Sequence, residues 1–145
     1  MLIWLMLAGV IYLWVIDGRV KKEVALHTIL AFGISYITAL FLKIVFQTNR
    51  PFVLGDTTPL TLLVPQDFAF PSAHTAMAFA MAVTVWLHNK KTGTVFLALA
   101  LLVGVARVWA NVHWPIDILG GAVLGSAVAL AVERIHLFKL LSKQK

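Results

Sequence analysis

The stretch RVWANVHWPID, residues 107–117, lies between two long apolar segments and carries three ionisable side chains. Arg107, His113 and Asp117 fall within eleven positions of one another. Ionisable groups are costly inside a bilayer, and where they occur they usually have a function. The stretch therefore indicates a fold built from apolar segments, with a site where two of those segments meet.

The composition is typical of a membrane protein. Of the 145 residues, 61% are hydrophobic and 12% are charged, against roughly 45–50% and about 25% in soluble domains. The chain has no cysteine, which excludes disulfides and thiolate metal sites. Its net charge of +6 is distributed between the apolar segments rather than gathered in one patch, so nucleic acid is not an expected partner. We predict an all-α, polytopic membrane helical bundle that forms a single domain, residues 1–145.

Five apolar segments are candidates for transmembrane helices, which need about 20 residues each. They cover residues 1–16, 24–46, 72–87, 92–109 and 115–137, and the first is short. With five crossings, nine of the twelve Lys and Arg residues fall on one side, which the positive-inside rule assigns to the cytoplasm. The exceptions are Lys43, Arg50 and Arg107. These three residues and the long loop 47–71 would face outward from a multi-pass protein of the cell membrane.

Two further stretches reach the predicted outer face. In KIVFQTNRP, residues 43–51, Lys43 and Arg50 are seven positions apart, so both point the same way if the helix continues that far. Pro51 then ends the helix or begins the loop. In PSAH, residues 71–74, a proline and Ser72 as N-cap would open the next helix.

The residues at this face fit phosphoryl transfer. Three cations and the N-terminal amides of a helix form a strong phosphate site. Of the two histidines, His74 and His113, one can attack phosphorus while the other protonates the leaving oxygen. Asp117, four residues after His113, is within reach to orient an imidazole. The loop carboxylates Asp56 and Asp67 show no metal-ligand spacing, so we expect neither a metal nor a cofactor.

These three stretches resemble the signatures of the type-2 phosphatidic acid phosphatase family: Lys-x6-Arg-Pro, Pro-Ser-x-His and Ser-Arg-x5-His-x3-Asp. The resemblance implies that His113 is a nucleophile that becomes phosphohistidine, oriented by Asp117, and that His74 is the acid for the leaving group. It also implies a set of phosphate-binding residues: Lys43, Arg50, Ser72, the Ala73 backbone amide and Arg107.

Two features depart from the family pattern. Ala106 stands where the family has serine before Arg107, so one phosphate hydrogen bond is absent and weaker binding is expected. The family's membrane members usually have six spans, whereas five are predicted here, one fewer before the first signature. This departure is compatible with a minimal core or with a chain that lacks upstream residues.

The leading interpretation is a metal-independent phosphatase that acts on a phosphorylated lipid in the bilayer. The substrate would be an isoprenyl diphosphate, phosphatidic acid or phosphatidylglycerophosphate. A lipid phosphotransferase could use the same site. A small transporter or anion-binding protein would instead place ionisable groups at mid-span with broken helices. An inactive scaffold is a further alternative, although the signature residues are intact.

Other residues have simpler interpretations. Gly121 and Gly125 form a Gly-x-x-x-Gly pair that could be a homo-oligomer face but more often packs inside a helical bundle. The histidines outside the three stretches, His27, His88 and His136, are interpreted as structural residues near the membrane interface.

Overall fold

The computed structural model describes residues 2–15, 22–55, 57–61 and 63–134. Within these ranges the chain is helical and contains no strand, which confirms the all-α prediction. The helices are α1 (Leu2–Val15), α2 (Lys22–Phe46), the single turn α3 (Pro51–Leu54), α4 (Ala73–His88), α5 (Lys90–Trp109) and α6 (Pro115–Arg134). Each predicted apolar segment forms one of the long helices. The last residues of the fifth segment, 135–137, which include His136, lie outside the described ranges.

Helix α4 is the centre of the bundle and packs against α1, α2, α5 and α6. Most of its residues are buried, and many of them are alanine, which lets neighbouring backbones approach closely. On one side α4 shares a hydrophobic core with α1 and α5, in which Met6, Met81 and Phe96 are buried. A helix that is buried on most of its faces needs no polar stripe, and α4 has none in its middle turns.

The contact between α4 and α6 depends on two glycines. A Cβ atom at Gly121 would lie 2.6 Å from the carbonyl oxygen of Ser72, and one at Gly125 would lie 2.1 Å from that of Ala76. Both glycines are buried, so their missing side chains allow the two backbones to touch. The Gly-x-x-x-Gly pair therefore packs inside the bundle, and the homo-oligomer face suggested for it is already occupied by α4.

The outer faces of α2, α5 and α6 are apolar. Exposed side chains on these faces include Ile37, Phe41, Ile44, Leu101, Val105, Leu119 and Val123. A soluble monomer rarely exposes so much contiguous apolar surface, whereas lipid covers it in a membrane. Three segments of the described chain are long and apolar enough to cross a bilayer: Lys22–Leu54, Lys90–Trp109 and Pro115–Arg134. Helices α1 and α4, with 14 and 16 residues, are shorter.

Helix α2 ends at Phe46, where the predicted segment 24–46 also ends. Lys43 and Arg50 would point the same way only on a helix that continued to Arg50, and Gln47, with a φ of 47°, interrupts it. This left-handed residue turns the chain out of the helix axis. Arg50 follows as the N-cap of α3, and Pro51 opens that turn rather than only ending α2.

The α4–α6 contact leads to a stability prediction. Gly125→Ala should lower the free energy of unfolding by about 1–3 kcal/mol, because the added methyl forces two helix backbones apart. Gly33→Ala on α2 is the matched control, since a Cβ there meets nothing within 4 Å. The measurement is equilibrium unfolding of both variants in the same detergent. Equal stabilities for the two variants would contradict the packing described for α6.

Candidate active site

The three sequence stretches meet around one cavity of about 540 Å³. It lies at the end of the bundle where α2 and α5 finish and where α4 and α6 begin. Its lining includes all five cations and histidines expected at the site: Lys43, Arg50, His74, Arg107 and His113. The fold therefore brings together residues that are up to 70 positions apart in the sequence.

His113 is held by Asp117, as the four-residue spacing predicts. The His113 Nδ1 atom lies 3.2 Å from Asp117 Oδ2, and this oxygen also accepts a hydrogen bond of 2.8 Å from the Trp114 amide. A carboxylate can only accept, so His113 Nδ1 carries the proton in this contact. In a neutral ring, Nε2 then carries the lone pair. Pro115 begins α6 and places Asp117 in its first turn.

Arg50 lies against the other side of the His113 ring. Its Nη1 atom is 3.3 Å from His113 Nε2 and donates a hydrogen bond of 2.7 Å to the carbonyl oxygen of Val112. An arginine can only donate, so this contact also assigns the lone pair to Nε2. Arg50 is 3% exposed, yet it faces the cavity from α3 rather than from α2.

Asp67, a loop carboxylate for which the sequence predicted no role, lines the cavity. Its two oxygens lie 3.1 Å from Lys43 Nζ and 2.6 Å from Arg50 Nη2. Burial raises the pKa of Asp67, but the charges of Lys43 and Arg50 lower it by more, so the pKa lies below its ordinary value. The ionised carboxylate is about half exposed at the cavity and pairs with two cations that were expected to bind phosphate.

Lys43 is also held by backbone oxygens. Its Nζ atom donates to the carbonyl oxygen of Phe68 and lies 3.3 Å from that of Ala69. The segment that carries these carbonyls is tied back to the end of α2, because the Ala69 amide donates to Thr48 O over 2.8 Å. Lys43 is therefore a buried and oriented cation, with only 3% of its surface exposed, rather than a lysine that extends to the membrane surface.

The start of α4 forms the third wall of the site. Ser72 is the N-cap, as predicted, and its hydroxyl accepts hydrogen bonds from the amide and the hydroxyl of Thr75. The Ser72 amide donates to the carbonyl oxygen of Asp117 over 3.0 Å, which joins α4 to α6. Ala73 occupies the first position of α4, where an amide has no partner inside the helix. His74 follows and lines the cavity.

Arg107 reaches the cavity from the last turn of α5. Its Nε atom is buried and has no hydrogen-bond partner among the described residues. A buried guanidinium nitrogen without a partner is costly, and an anion in the cavity would satisfy it. Ala106, beside it, is exposed and offers no hydroxyl at the position where the family signature has serine.

The protonation state of His113 follows from its surroundings. Burial lowers the pKa of His113 to about 4; the hydrogen bond to Asp117 opposes this shift, and the charges of Arg50, Lys43 and Arg107 add to it. At neutral pH, well above this value, the ring is neutral. Nε2 then carries a lone pair and lies 3.3 Å from Arg50 Nη1 at the cavity.

The carboxylates at this end of the bundle are already engaged. Asp117 is bound to His113 and Trp114, and Asp67 is paired with Lys43 and Arg50. In the part of the chain that the structure describes, the one group of three or more side chains spaced to hold a metal ion lies elsewhere. Asp56, the other loop carboxylate considered, lies outside the described residues.

Comparison with known proteins places this geometry in context. A sequence model of the PAP2 superfamily matches residues 24–140. The chain is 30% identical over 124 residues to the bacitracin transport permease protein BcrC of Bacillus licheniformis, and the aligned region covers 86% of this chain and 61% of that protein. It is 29% identical over 116 residues to the undecaprenyl-diphosphatase of Sulfolobus acidocaldarius, and this aligned region covers 79% of the chain and 56% of that protein. The chain thus spans less than two thirds of the length of these curated relatives.

The fold is also similar to a solved structure. The crystal structure of LpxE from Aquifex aeolicus superimposes with a TM-score of 0.76 and 28% sequence identity, over 92% of this chain and 81% of that one. Together with the apolar outer faces of α2, α5 and α6, these similarities identify the chain as a membrane protein.

Asp67 leads to a prediction about anion binding. Asp67→Asn should tighten binding of inorganic phosphate roughly 3- to 10-fold, or about 0.7–1.4 kcal/mol, because an anion no longer competes with a carboxylate for Lys43 and Arg50. Titration calorimetry in detergent measures the effect. Gln66→Ala is the control, since Gln66 is exposed and its side-chain amide donates to the nearby Val64 carbonyl. Weaker phosphate binding in Asp67→Asn would show that Asp67 orients the cations rather than competing with the anion.

Proposed function

Because the chain belongs to the PAP2 superfamily, we propose that it is a membrane phosphatase that removes phosphate from a phosphorylated lipid. The observation that carries the proposal is the cavity that three cations line together with His113, whose unprotonated Nε2 lies beside Arg50. The candidate substrates are isoprenyl diphosphates, phosphatidic acid and phosphatidylglycerophosphate. The similarity to a protein named undecaprenyl-diphosphatase favours the isoprenyl diphosphate.

In the proposed reaction, His113 Nε2 attacks phosphorus while the bond from phosphorus to the leaving oxygen breaks. Nδ1 keeps its proton on the Asp117 side, and Asp117 stabilises the positive charge that develops on the ring. His74 takes up a proton when the anionic substrate binds, gives it to the leaving oxygen and becomes neutral. A water molecule then attacks the phosphohistidine, His74 takes a proton from that water, and inorganic phosphate leaves with His113 neutral again.

The cations are proposed to stabilise the charge on the phosphoryl oxygens. Lys43, Arg50 and Arg107 surround the cavity, and the Ala73 amide and Ser72 lie at the N-terminus of α4. Cations that are fixed before substrate binds need no reorganisation in the transition state. They supply the charge neutralisation that magnesium provides in many other phosphoryl-transfer enzymes, so the proposed reaction requires no metal ion.

A lipid substrate is favoured by the wall of the cavity that α2 forms. Tyr36 and Leu40 of α2 line it on the side of the helix that carries exposed apolar residues. A lipid phosphate could therefore bind the cations while its hydrocarbon tail remains against α2. We propose one domain over residues 1–145, with five helices crossing the cell membrane and the cavity on the extracytoplasmic side.

The mechanism is tested with purified protein and a panel of lipid phosphates and diphosphates. His113→Ala should lower phosphate release by roughly 10³-fold or more, and Asp117→Asn by roughly 10²–10⁴-fold, because the nucleophile or its orientation is lost. His88→Gln is the matched histidine control, since His88 lies at the opposite end of α4 from His74. Activity per folded molecule should be retained in that control.

Three readouts make this experiment decisive. Wild-type protein quenched during turnover should carry acid-labile, base-stable phosphate, which His113→Ala should lack. Phosphate release should persist in excess EDTA, and a strict need for added magnesium would contradict the proposed role of the cations. If an added acceptor alcohol diverts most of the phosphate to a new ester, the protein is a lipid phosphotransferase.

The proposed orientation is tested by cysteine labelling, which has no background because the chain has no cysteine. Leu63→Cys lies in the long loop and is highly exposed, whereas Lys91→Cys lies at the start of α5. An impermeant thiol reagent on intact cells should label position 63 and leave position 91 unlabelled, and permeabilised cells should give both. The reverse pattern on intact cells would make this a cytoplasmic-leaflet site.

A further inference from the structure

A second cluster of titratable side chains lies at the opposite end of the bundle. His27 of α2, His88 of α4 and Glu133 of α6 bring their nitrogen and oxygen atoms within 4.8 Å of one another. His27 and His88 were interpreted from the sequence as separate structural residues at the membrane interface. The fold instead directs both imidazoles at one carboxylate. The cluster belongs to none of the three signature stretches.

The orientation of His88 is defined by a backbone contact. Its Nδ1 atom lies 3.0 Å from the carbonyl oxygen of Thr84, so Nδ1 carries a proton and donates it. In the neutral ring, the lone pair of Nε2 then points at Glu133 Oε1, 3.2 Å away. Two acceptors that face each other repel unless a cation or a proton lies between them. Metal-binding histidines usually donate their other ring nitrogen to a carbonyl or carboxylate in this way.

His27 adds an independent observation. It is 2% exposed, and neither of its ring nitrogens makes a hydrogen bond within the described ranges. Its Nδ1 atom lies 3.3 Å from Glu133 Oε2, which also lacks a hydrogen-bond partner. A buried imidazole whose two ring nitrogens make no hydrogen bond is unfavourable in a protein interior. The polar atoms of His27 are therefore directed at a position where a ligand would satisfy them.

We propose that His27, His88 and Glu133 bind a divalent transition-metal ion of the zinc class. Zinc takes nitrogen and oxygen ligands at about 2.0–2.2 Å, so neighbouring ligands of a tetrahedral ion are roughly 3.3–3.5 Å apart. The distances of 3.3 Å from His27 Nδ1 to Glu133 Oε2 and of 3.2 Å from His88 Nε2 to Glu133 Oε1 are close to that spacing, so both carboxylate oxygens face the proposed ion. Imidazole ligands favour zinc over magnesium or calcium, which prefer oxygen. Water fills any position that the carboxylate leaves open, and the partly exposed His88 provides an entry path.

The proposed ion joins three helices that carry the phosphate site at their other ends. Sixteen residues of α2 separate His27 from Lys43, which is about 24 Å along the helix. At that distance the ion touches no reacting group, so its effect is on the stability of the bundle. The proposed ion changes the sequence-based expectation of no metal for the end of the bundle that carries His27. The expectation is unchanged for the phosphate cavity.

The test uses the full chain without a histidine tag, purified in detergent and freed of metal with a chelator. Zinc added to the wild type should bind one ion per chain and raise the unfolding temperature by several degrees. Cobalt in its place should give the visible absorption of a tetrahedral site. Glu133→Gln and His88→Gln should each weaken zinc binding at least tenfold. Lys91→Gln removes the charge of an exposed side chain at the same end of the bundle, and it should bind zinc as the wild type does.

The outcomes separate the proposed site from its alternatives. Wild type that takes up no stoichiometric metal, with no change in unfolding temperature, would mean that protons alone hold the two histidines and Glu133 together. Equal zinc binding in wild type and Glu133→Gln would mean that the metal is adventitious, and either result overturns the proposal. Because His27→Ala removes a buried side chain and could unfold the protein, the partly exposed His88 and the isosteric Glu133→Gln are the variants on which the test depends.

Discussion

The close approach of α4 and α6 is the constraint on which the rest of the structure depends. Gly121 and Gly125 allow α6 to touch the first two turns of α4, and the Ser72 amide donates to the Asp117 carbonyl. His74 lies in the first turn of α4 and His113 two residues before α6, so their approach to one cavity follows from the same contact. Larger residues at Gly121 and Gly125 would separate the two histidines even though every site residue was unchanged.

The electrostatics of the site follow from this packing. Lys43, Arg50 and Arg107 repel one another, and the fold offsets that repulsion with backbone carbonyls and with Asp67. Lys43 and Arg50 thus have some of their hydrogen bonds satisfied, whereas the buried Nε of Arg107 has no partner among the described residues. The same positive field, with burial, keeps His113 neutral. A base that is neutral beside three cations is suited to an anionic partner that approaches those cations.

The sequence was most informative about contacts and helix starts that depend on residues close together in the chain. The spacing of His113 and Asp117 predicted their hydrogen bond, and the residue types at Ser72 and Pro115 predicted two helix starts. The seven-residue spacing of Lys43 and Arg50 aligns them only on a continuous helix, and the turn at Gln47 ends α2 before Arg50 is reached. Both side chains still meet at the cavity, since long-range contacts to Asp67 and Val112 hold Arg50 there.

Residues brought together by tertiary contacts alone were missed. Asp67 has no neighbour in the sequence that marks it as a partner of Lys43, which lies 24 positions earlier. His27, His88 and Glu133 come from three different helices, and nothing in their local sequence connects them. One signal was present for Asp67: it is an acidic residue a few positions before the PSAH stretch, in a loop that must return to the same face.

The shortness of α4 has a consequence for the depth of the site. Its 16 residues extend about 24 Å, roughly 6 Å less than the hydrocarbon layer they would have to cross. Because α1, α2, α5 and α6 surround α4, this difference falls within the protein rather than beside lipid. In the proposed membrane arrangement, the end of α4 that carries Ser72 and His74 then lies below the headgroup level. The thickness of the host membrane would then set how deeply a lipid headgroup must descend to reach the cavity.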